Sequence, residues 1–319
     1  MSRIVTVQAS PSLALVKYWG KRDERRNLPA TPSLAVTLGG AHTHTRITLS
    51  EADRVFVGGQ EQDRARFAPF FKALRRRLRT QARFRAESLN SFPTAAGLAS
   101  SSSGFAALAV GCTRAAGGVL PGRELSALAR VGSASAARAV FGGFTLLPAG
   151  ARYARQLFPE QHWPELRIVV VVVSPQAKAL SSREAMRATR SSSPYYRAWL
   201  DSSGRLLARA LEALERRDLE HLGLCAGLSY SRMHAALLAA EPPGLYWLPA
   251  TVAVIRECAA LRARGIGAWE TIDAGPQVKI LCLEADAPAV IDGLQELDPE
   301  LRTILCRPGP EPVVEEQEE

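Results

Sequence analysis

Cysteine and long apolar runs are scarce in this 319-residue chain, and each shortage argues against a class of protein. The five cysteines are scattered and never form a CxxC pair, which argues against a disulfide framework and against a structural zinc site. We expect them to be buried free thiols. The most apolar run, residues 168–173, is far shorter than the roughly 20 residues that span a bilayer. The first ten residues lack the apolar core of a signal peptide, so we expect a cytoplasmic location.

Several chemical signatures are also absent from the sequence. It contains no GxxxxGK[ST] phosphate loop, no histidine pair with metal-site spacing and no fixed-period repeat. We therefore expect no metal ion held by protein side chains alone. Apolar residues make up 47% of the chain and charged residues 22%, a balance that is typical of a globular protein and not of a disordered one.

The 31 acidic residues are outnumbered by 40 lysines and arginines, so the formal net charge is +9. The densest basic cluster, residues 72–79 with the sequence KALRRRLR, carries leucines at helical spacing. This pattern favours a helix whose arginines face solvent. An anion-facing role and a nucleic-acid patch are the alternatives, and the absence of interleaved aromatic residues disfavours the second of them.

Strand-like and helix-like segments follow each other irregularly, which favours an α+β fold of two layered lobes. Two prolines and a glycine at residues 150–164 indicate the boundary between the lobes. We expect an N-terminal lobe over residues 1–160 and a C-terminal lobe over residues 161–307. Residues 308–319 are acidic and rich in proline, which predicts a disordered tail.

Strands are predicted at residues 3–9, 34–38, 43–49, 54–57, 84–88, 144–147, 166–173, 267–272, 278–283 and 302–306. Helices are predicted at residues 62–81, 100–115, 182–239, 251–264 and 287–296, with further helical segments between residues 122 and 140.

A loop of small residues precedes one of the predicted helices. Residues 90–104 read NSFPTAAGLASSSSG, in which Gly97 permits a backbone conformation that larger residues avoid. A helix that starts in a run of serines offers unpaired N–H donors and a positive dipole end, which together can bind phosphate. An ordinary serine cap before a helix is the alternative.

Three further segments carry charged residues beside turns. They are ALVKYWGKRD around Lys17, GSASAAR ending at Arg138, and TIDAGPQVK around Asp273. Taken alone, each has a structural interpretation: a solvated lysine, an exposed arginine after capping serines, and an aspartate in an Asx-type turn. The planar guanidinium of an arginine is also well suited to grip a carboxylate through two parallel N–H donors.

Together the four segments resemble a known family. PTAAGLASSSSG resembles the phosphate loop of the GHMP kinases, and FPTAAGLASS, KYWGKRD and DAGPQ are similar to motifs of the diphosphomevalonate decarboxylases within that superfamily. The resemblance spans roughly residues 6 to 285, with the motifs in the same order. It implies a two-lobed GHMP kinase-like fold, with an N-terminal lobe like ribosomal protein S5, a C-terminal ferredoxin-like lobe and an active-site cleft between them.

The resemblance also assigns roles to individual residues. As catalytic residues it implies Asp273, Lys17 and Arg138. As substrate-binding residues it implies Tyr18, Lys21, Ser133, Ser135, Arg138 and Arg190. As ATP-binding residues it implies Pro93, Ala96, Gly97, Leu98, Ala99, Ser100, Ser101, Ser102 and Ser103. His234, in an MHA segment like one of the family, is interpreted as a structural histidine.

The implied reaction consumes ATP with Mg²⁺ and converts (R)-5-diphosphomevalonate into isopentenyl diphosphate, CO2, ADP and phosphate, in a homodimer that binds neither nucleic acid nor membrane. Ser12, Thr31 and Pro32 depart from the family pattern near the substrate, so the number of phosphates on the substrate stays open. Phosphomevalonate decarboxylase and mevalonate 3-kinase are the alternatives within the family. A basic nucleic-acid-binding protein and a catalytically silent homologue are the alternatives from other classes.

Overall fold

A computed structural model describes residues 3–92, 100–176 and 180–318. Within these ranges the chain forms sixteen strands and eight α-helices. The strands are β1 (Arg3–Ala9), β2 (Ser12–Ala14), β3 (Lys21–Asp23), β4 (Leu28–Pro29), β5 (Ser33–Gly39), β6 (Thr43–Ser50), β7 (Arg54–Val57), β8 (Gln60–Glu61), β9 (Arg83–Asn90), β10 (Phe144–Leu147), β11 (Arg155–Phe158), β12 (Leu166–Val172), β13 (Trp269–Ile272), β14 (Val278–Leu283), β15 (Arg302–Pro308) and β16 (Val313–Glu318). The helices are α1 (Arg64–Leu78), α2 (Ser100–Ala115), α3 (Gly122–Gly132), α4 (Ser182–Ser192), α5 (Tyr196–Arg216), α6 (Leu219–Leu238), α7 (Pro249–Ala263) and α8 (Ala287–Leu297).

The first sheet has the strand order β16-β1-β6-β9-β7-β8 and is covered by α1, α2 and α3. Helix α2 lies close to the sheet because Gly111 has no side chain: a Cβ there would meet Ile47 and Val7. The helix is apolar along most of its length and buries residues on nearly all sides. It therefore forms the centre of this core and fixes its own N-terminus, the serine-rich end, in place.

The second sheet has the order β11-β10-β5-β15-β12-β14-β13, with β2 paired to β5. The apolar run of β12 is explained by helices on both faces, since successive side chains of a strand point to opposite sides. Ile168 and Val170 pack towards α5 and α6, whereas Val169 and Val171 pack towards α7 and α8. Strand β15 lies between β5 and β12, so this sheet crosses the lobe boundary expected near residue 160.

The prediction of a disordered tail after residue 307 is wrong. Strand β15 runs to Pro308, and β16 pairs antiparallel with β1 along its length. Val314 packs against the core of the first sheet, and Glu316 forms a 2.8 Å ion pair with Arg3. The acidic composition indicated disorder, but the edge of β1 supplies backbone partners and Arg3 supplies a counter-charge, and neither could be seen in the tail's own sequence.

Most predicted elements are confirmed within about three residues, but the segment predicted as helical over residues 182–239 is divided into α4, α5 and α6. The short strands β2, β3, β4, β8 and β11 were not predicted. The five cysteines are buried and unpaired, as expected. Burial raises the pKa of both the Cys282 and Cys306 thiols to about 12, which keeps these thiols protonated. No helix in the described ranges is long and apolar enough to cross a bilayer.

Gly309 provides a test of the ordered C-terminus. Its N–H donates to Thr37 O at 2.8 Å, and a Cβ on it would press against the backbone of Gly39. We expect Gly309→Ala to lower the free energy of unfolding by about 1–3 kcal/mol through overpacking.

The matched control is Gly204→Ala, in the exposed interior of α5, where a Cβ meets nothing within 4 Å. This variant should gain roughly 0.5–1 kcal/mol, because alanine favours a helix over glycine. Urea denaturation of both variants measures the difference, and an unchanged stability of Gly309→Ala would contradict the packing of the C-terminal segment.

Candidate active site

A buried ion pair joins two distant parts of the sequence. Lys17 follows β2, and Asp273 follows β13, which ends at Ile272. Lys17 Nζ lies 2.7 Å from Asp273 Oδ1 and also donates to Ala14 O at 2.7 Å. The Lys17 side chain is 1% exposed, whereas that of Asp273 is 29% exposed. The carboxylate therefore presents its accessible part to a ligand while the ammonium group supports it from inside.

A second lysine lies on the other side of the carboxylate. Lys279 of β14 is buried, with Nζ 3.6 Å from Asp273 Oδ2. Burial opposes ionisation of Asp273, but the charges of Lys17 and Lys279 outweigh it and lower the pKa of the carboxyl to about 2. Burial lowers the pKa of Lys17 to about 8, although the charge of Asp273 acts in the opposite direction. At neutral pH the site therefore holds a carboxylate paired with the ammonium group of Lys17, and Lys279, whose pKa burial also lowers, lies on its other side.

Arg138 is the third charged residue of this centre. It is 3% exposed and follows a 3-10 turn at Ala134–Ala137. Its Nε donates to Ser12 Oγ at 3.3 Å and its Nη1 to Ser33 Oγ. No carboxylate of the described residues lies within ion-pair distance of it, and its charge reaches both Lys17 and Asp273. A buried guanidinium that is bound only to hydroxyls can accept an anionic ligand.

Serines connect the start of α2 with the segment before Arg138. Ser101 Oγ lies 3.4 Å from Ser133 Oγ, which lies 3.0 Å from Ser135 Oγ. Ser102 Oγ donates to Ser135 O at 3.3 Å, and Ser103 Oγ lies 2.6 Å from Thr43 Oγ1. The first turn of α2 contains no acidic residue. This helix start therefore combines N–H groups that have no partner within the helix with a cluster of hydroxyls, as a phosphate site requires.

Tyr18 is beside these groups. Its hydroxyl is buried and has no hydrogen-bond partner among the described residues. Burial raises the pKa of the phenol above its usual range, so the hydroxyl keeps its proton. The charge of Arg138 acts on it, as does that of Arg183 in α4. An unsatisfied buried donor near two guanidinium groups is a feature that a bound anion would complete.

Trp19 attaches this segment to the second half of the chain. It is 2% exposed, and its Nε1 donates to Thr189 Oγ1 of α4 at 3.1 Å. Trp199 Nε1 of α5 donates to Trp19 O at 3.1 Å. These bonds place α4 beside the hairpin that begins at Lys21.

Basic residues converge on one cavity between α1, α3, α4 and this hairpin. The cavity has a volume of about 800 Å³, and Glu24 is the one carboxylate among its described lining residues. Its basic lining residues are Lys21, Arg25, Arg26, Lys72, Arg76, Arg77, Arg130, Arg152, Arg183, Arg187 and Arg190. Part of the arginine cluster predicted to face solvent therefore faces this cavity: Arg76 and Arg77 line it, whereas Arg75 pairs with Asp53 at 2.7 Å.

The structure brings Lys17, Asp273 and Arg138 together, and it places Lys21 and Arg190 on the neighbouring cavity. Ser100, Ser101, Ser102 and Ser103 lie in the first turn of α2. The predicted ATP contacts Pro93, Ala96, Gly97, Leu98 and Ala99 lie outside the described residues.

Sequence reasoning missed Lys279, Arg183 and Arg187. The signal for Lys279 was a lysine inside an apolar strand, where a charge is rare without a partner. The signal for Arg183 and Arg187 was the spacing of four and then three residues from Arg183 to Arg187 to Arg190, which places all three on one face of a helix.

The hydroxyl-lined helix start, the basic cavity and the paired carboxylate define an enzyme that acts on phosphorylated anions.

Comparison with known proteins agrees with this class. A family model for a diphosphomevalonate decarboxylase-like N-terminal domain matches residues 9–157, and one for a mevalonate 5-diphosphate decarboxylase C-terminal domain matches residues 168–308. The human diphosphomevalonate decarboxylase is 34% identical over 88% of this chain and 77% of its own length.

Solved structures give the same result. The mevalonate diphosphate decarboxylase of Enterococcus faecalis is 33% identical and has a TM-score of 0.91 over 99% of this chain and 100% of that chain. The Staphylococcus aureus enzyme is 32% identical, with a TM-score of 0.91 over 100% and 99% of the two chains. A relative in complex with MVAPP, AMPPCP and magnesium has a TM-score of 0.92 at 33% identity, over 99% and 100%. The chain belongs to the diphosphomevalonate decarboxylase family.

The ion pair makes stability depend on pH in a defined direction. Asp273→Asn leaves two buried lysines without their counter-charge, so we expect a loss of about 3–5 kcal/mol at neutral pH. The folded pKa of Asp273, about 2, lies below the value of about 3.9 in an unfolded chain. Its contribution is therefore complete above that unfolded value and is lost as the pH falls towards 2.

Urea denaturation from neutral pH down to about pH 3 measures this effect. The difference in unfolding free energy between the wild type and Asp273→Asn should narrow in the acid part of this range. A difference that stays constant with pH would contradict the low pKa of Asp273.

Proposed function

We propose that the protein converts (R)-5-diphosphomevalonate and ATP into isopentenyl diphosphate, CO2, ADP and phosphate, as a step of the mevalonate pathway. One observation carries the proposal: a carboxylate held between two buried lysines lies near a buried arginine that has no carboxylate of the described residues within ion-pair distance. The names and bound ligands of the solved relatives support the same substrate and nucleotide.

The basic cavity supports a substrate with two phosphates. Lys21 and the α4 arginines Arg183, Arg187 and Arg190 line one part of it. Glu24 lies 3.7 Å from Arg187 and 3.8 Å from Arg190, but all three side chains are more than a third exposed. Such exposed pairs are weak, so an incoming phosphate can replace the carboxylate at these arginines. The cavity volume is that of a small-molecule site.

Asp273 acts on the tertiary alcohol that attacks the γ-phosphoryl group. A carboxylate with a pKa of about 2 is a weak base, so its main role is to orient the hydroxyl group as a hydrogen-bond acceptor. Phosphoryl transfer has a loose transition state that needs little prior deprotonation of the nucleophile. Asp273 receives the proton once the new O–P bond has formed and the alcohol oxygen has become acidic.

Loss of CO2 follows from the resulting 3-phosphate. The bond between the carboxylate carbon and its neighbour breaks, its electron pair forms the carbon–carbon double bond, and the C3–O bond breaks to release phosphate. Arg138 holds the carboxylate, and its fork geometry sets the direction of the breaking bond. Lys17, charged at neutral pH, stabilises the negative charge on the departing phosphate.

ATP and Mg²⁺ fit the remaining groups. The start of α2 offers backbone N–H groups and the partly exposed Ser101 to the nucleotide phosphates, whereas Ser102 and Ser103 are fully buried and bonded within the protein, so they would support this helix start from inside. Clusters of three or more His, Cys, Asp or Glu side chains are absent from the described residues, so protein side chains alone would not enclose a metal ion. Mg²⁺ is commonly held by substrate phosphates with few protein ligands, and Ser101 and Ser133 would supply oxygen atoms here. It would neutralise charge on the transferred phosphoryl group.

Features of the site argue against two alternative functions, a 3-kinase and a nucleic-acid-binding protein. Lys17, Arg138 and Asp273 together favour a decarboxylase over a 3-kinase that keeps CO2, because loss of CO2 needs both a held carboxylate and a stabilised leaving phosphate. A nucleic-acid-binding protein would present its arginines on an extended surface, whereas these converge on one cavity of about 800 Å³. Ser12 departs from the family pattern, carries no charge and accepts a hydrogen bond from Arg138. It therefore affects the carboxylate end of the substrate. A homodimer and a cytoplasmic location remain predictions.

One assay tests the proposed function. The protein is incubated with ATP and Mg²⁺ and, separately, with mevalonate, its 5-phosphate and its 5-diphosphate, and ADP and CO2 are measured. We expect ADP and CO2 in equal amounts from the diphosphate, and neither from Asp273→Ala although it still binds the substrate. ADP without CO2 would favour a kinase, and an active Asp273→Ala would remove the role of this carboxylate.

A second variant tests the binding of the terminal phosphates. Arg190→Gln removes one charge-assisted hydrogen bond, so KM for the diphosphate should rise about tenfold or more. KM for the monophosphate should change less, since it has fewer phosphate oxygens to bind. The control is Arg197→Gln, whose side chain is 84% exposed and pairs with Asp201 on α5. Equal effects of the two variants would contradict the assignment of Arg190.

A further inference from the structure

One helix contacts both members of the buried ion pair through their backbones. Ser229 of α6 accepts a 2.8 Å hydrogen bond from the backbone N–H of Lys17. His234, five residues later on the same helix, has its Nε2 3.2 Å from the backbone oxygen of Asp273. Ser229 is fully buried and His234 is 2% exposed. Helix α6 therefore connects two residues that are 256 positions apart in the sequence.

The partner of His234 determines where its proton is. A carbonyl oxygen only accepts hydrogen bonds, so Nε2 must carry the hydrogen. Burial and the nearby charge of Lys17 lower the pKa of the imidazole to about 4, which leaves it neutral at physiological pH. The ring packs against Tyr230, Tyr246 and Trp247 at centroid distances of 6.3, 6.2 and 5.0 Å, so its orientation is fixed on several sides.

The backbone at Asp273 needs such support. Strand β13 ends at Ile272, and the chain turns directly afterwards, with Gly275 N–H donating to Asp273 O at 2.9 Å. The same oxygen accepts from His234. The ion pairs with Lys17 and Lys279 hold the carboxylate end of the residue, but they do not hold its backbone. Among the described residues, the bond from His234 is the one hydrogen bond between an α6 side chain and the Asp273 turn. Loss of His234 would remove it.

We infer that His234 is a positioning residue for the catalytic carboxylate: a neutral, Nε2-protonated imidazole that holds the Asp273 turn while Ser229 holds Lys17. This inference rests on the proposed function. The helix then sets the separation and direction of the ion pair, and His234 itself does not touch the substrate. A displacement of about 1 Å in a reacting group can cost on the order of 100-fold in rate.

The test compares two substitutions of His234, one that removes the side-chain N–H donor and one that keeps such a donor. His234→Phe keeps an aromatic ring but loses the N–H, whereas His234→Gln keeps an N–H donor at similar reach. We expect kcat to fall about 10- to 100-fold in His234→Phe, with KM for the diphosphate near the wild-type value. His234→Gln should recover most of this loss. Equal kcat in His234→Phe and wild type, or equal losses in the two variants, would overturn the inference.

Tyr230→Phe is the matched control on the same helix. It removes a buried hydrogen bond of 3.0 Å to Glu270, which is not part of the ion pair. Its kcat should stay near the wild-type value even if its melting temperature falls. A kcat loss like that of His234→Phe would mean that any weakening of α6 has the same effect and would overturn the specific role of His234.

Nitrogen-15 NMR of the histidine side chains adds a readout that does not depend on turnover. At neutral pH, His234 should show the neutral tautomer protonated on Nε2. A doubly protonated ring or an Nδ1 tautomer would overturn the inference. If the wild-type protein turned over no phosphorylated mevalonate, the proposed function would fail, and this is distinct from an active wild type whose His234→Phe variant is equally active.

Discussion

The burial of the Lys17–Asp273 pair is the constraint on which the arrangement of the site depends. Removal of two charges from water costs several kcal/mol for each ion, and their attraction offsets this only when the geometry is good. Such a pair is therefore weak evidence for stability and better evidence for function. Its members come from the two halves of the chain, so the lobes must pack in one relative position for the pair to form. The hydrogen bonds of α6, the second lysine and the strand β15 all restrict that position.

Arg138 adds a cost that the ion pair does not offset. A buried guanidinium whose hydrogen-bond partners among the described residues are hydroxyls keeps part of its desolvation penalty, and burial lowers its pKa to about 10. The buried hydroxyl of Tyr18 has no hydrogen-bond partner within the same ranges, so it too keeps a desolvation penalty. These groups would gain free energy from a bound anion that the folded chain does not itself provide. Buried polar groups that lack partners are typically found at ligand-binding sites, because buried polar groups elsewhere are hydrogen-bonded within the protein.

The sequence predicted regular elements well and long-range pairing poorly. The limits of β1, α2 and β14 agree with their periodicity, because each packs as its own apolar pattern requires. Strand β16 was mistaken for a disordered tail since its partner, β1, is at the opposite end of the chain. Residues of the site in recognisable motifs were found, whereas Lys279 was not, since a lysine in a strand acquires meaning only when Asp273 lies 3.6 Å away. His234 was interpreted as structural, and its contact to the Asp273 backbone is visible only in the fold.

The basic cavity concentrates positive charge as the ion-pair centre does, but over a larger part of the cleft. Arginines that line the basic cavity repel each other, and the chain limits the cost with neutral acceptors: Arg130 donates to the carbonyl oxygens of Arg152 and Arg26. Carbonyl oxygens reduce the repulsion without cancelling the positive potential, whereas carboxylates would have neutralised it and competed with the substrate. A phosphorylated ligand that binds only the folded state would therefore stabilise the protein. Substrate affinity and the repulsion between arginines in the cleft are in this sense two consequences of the same excess of positive charge.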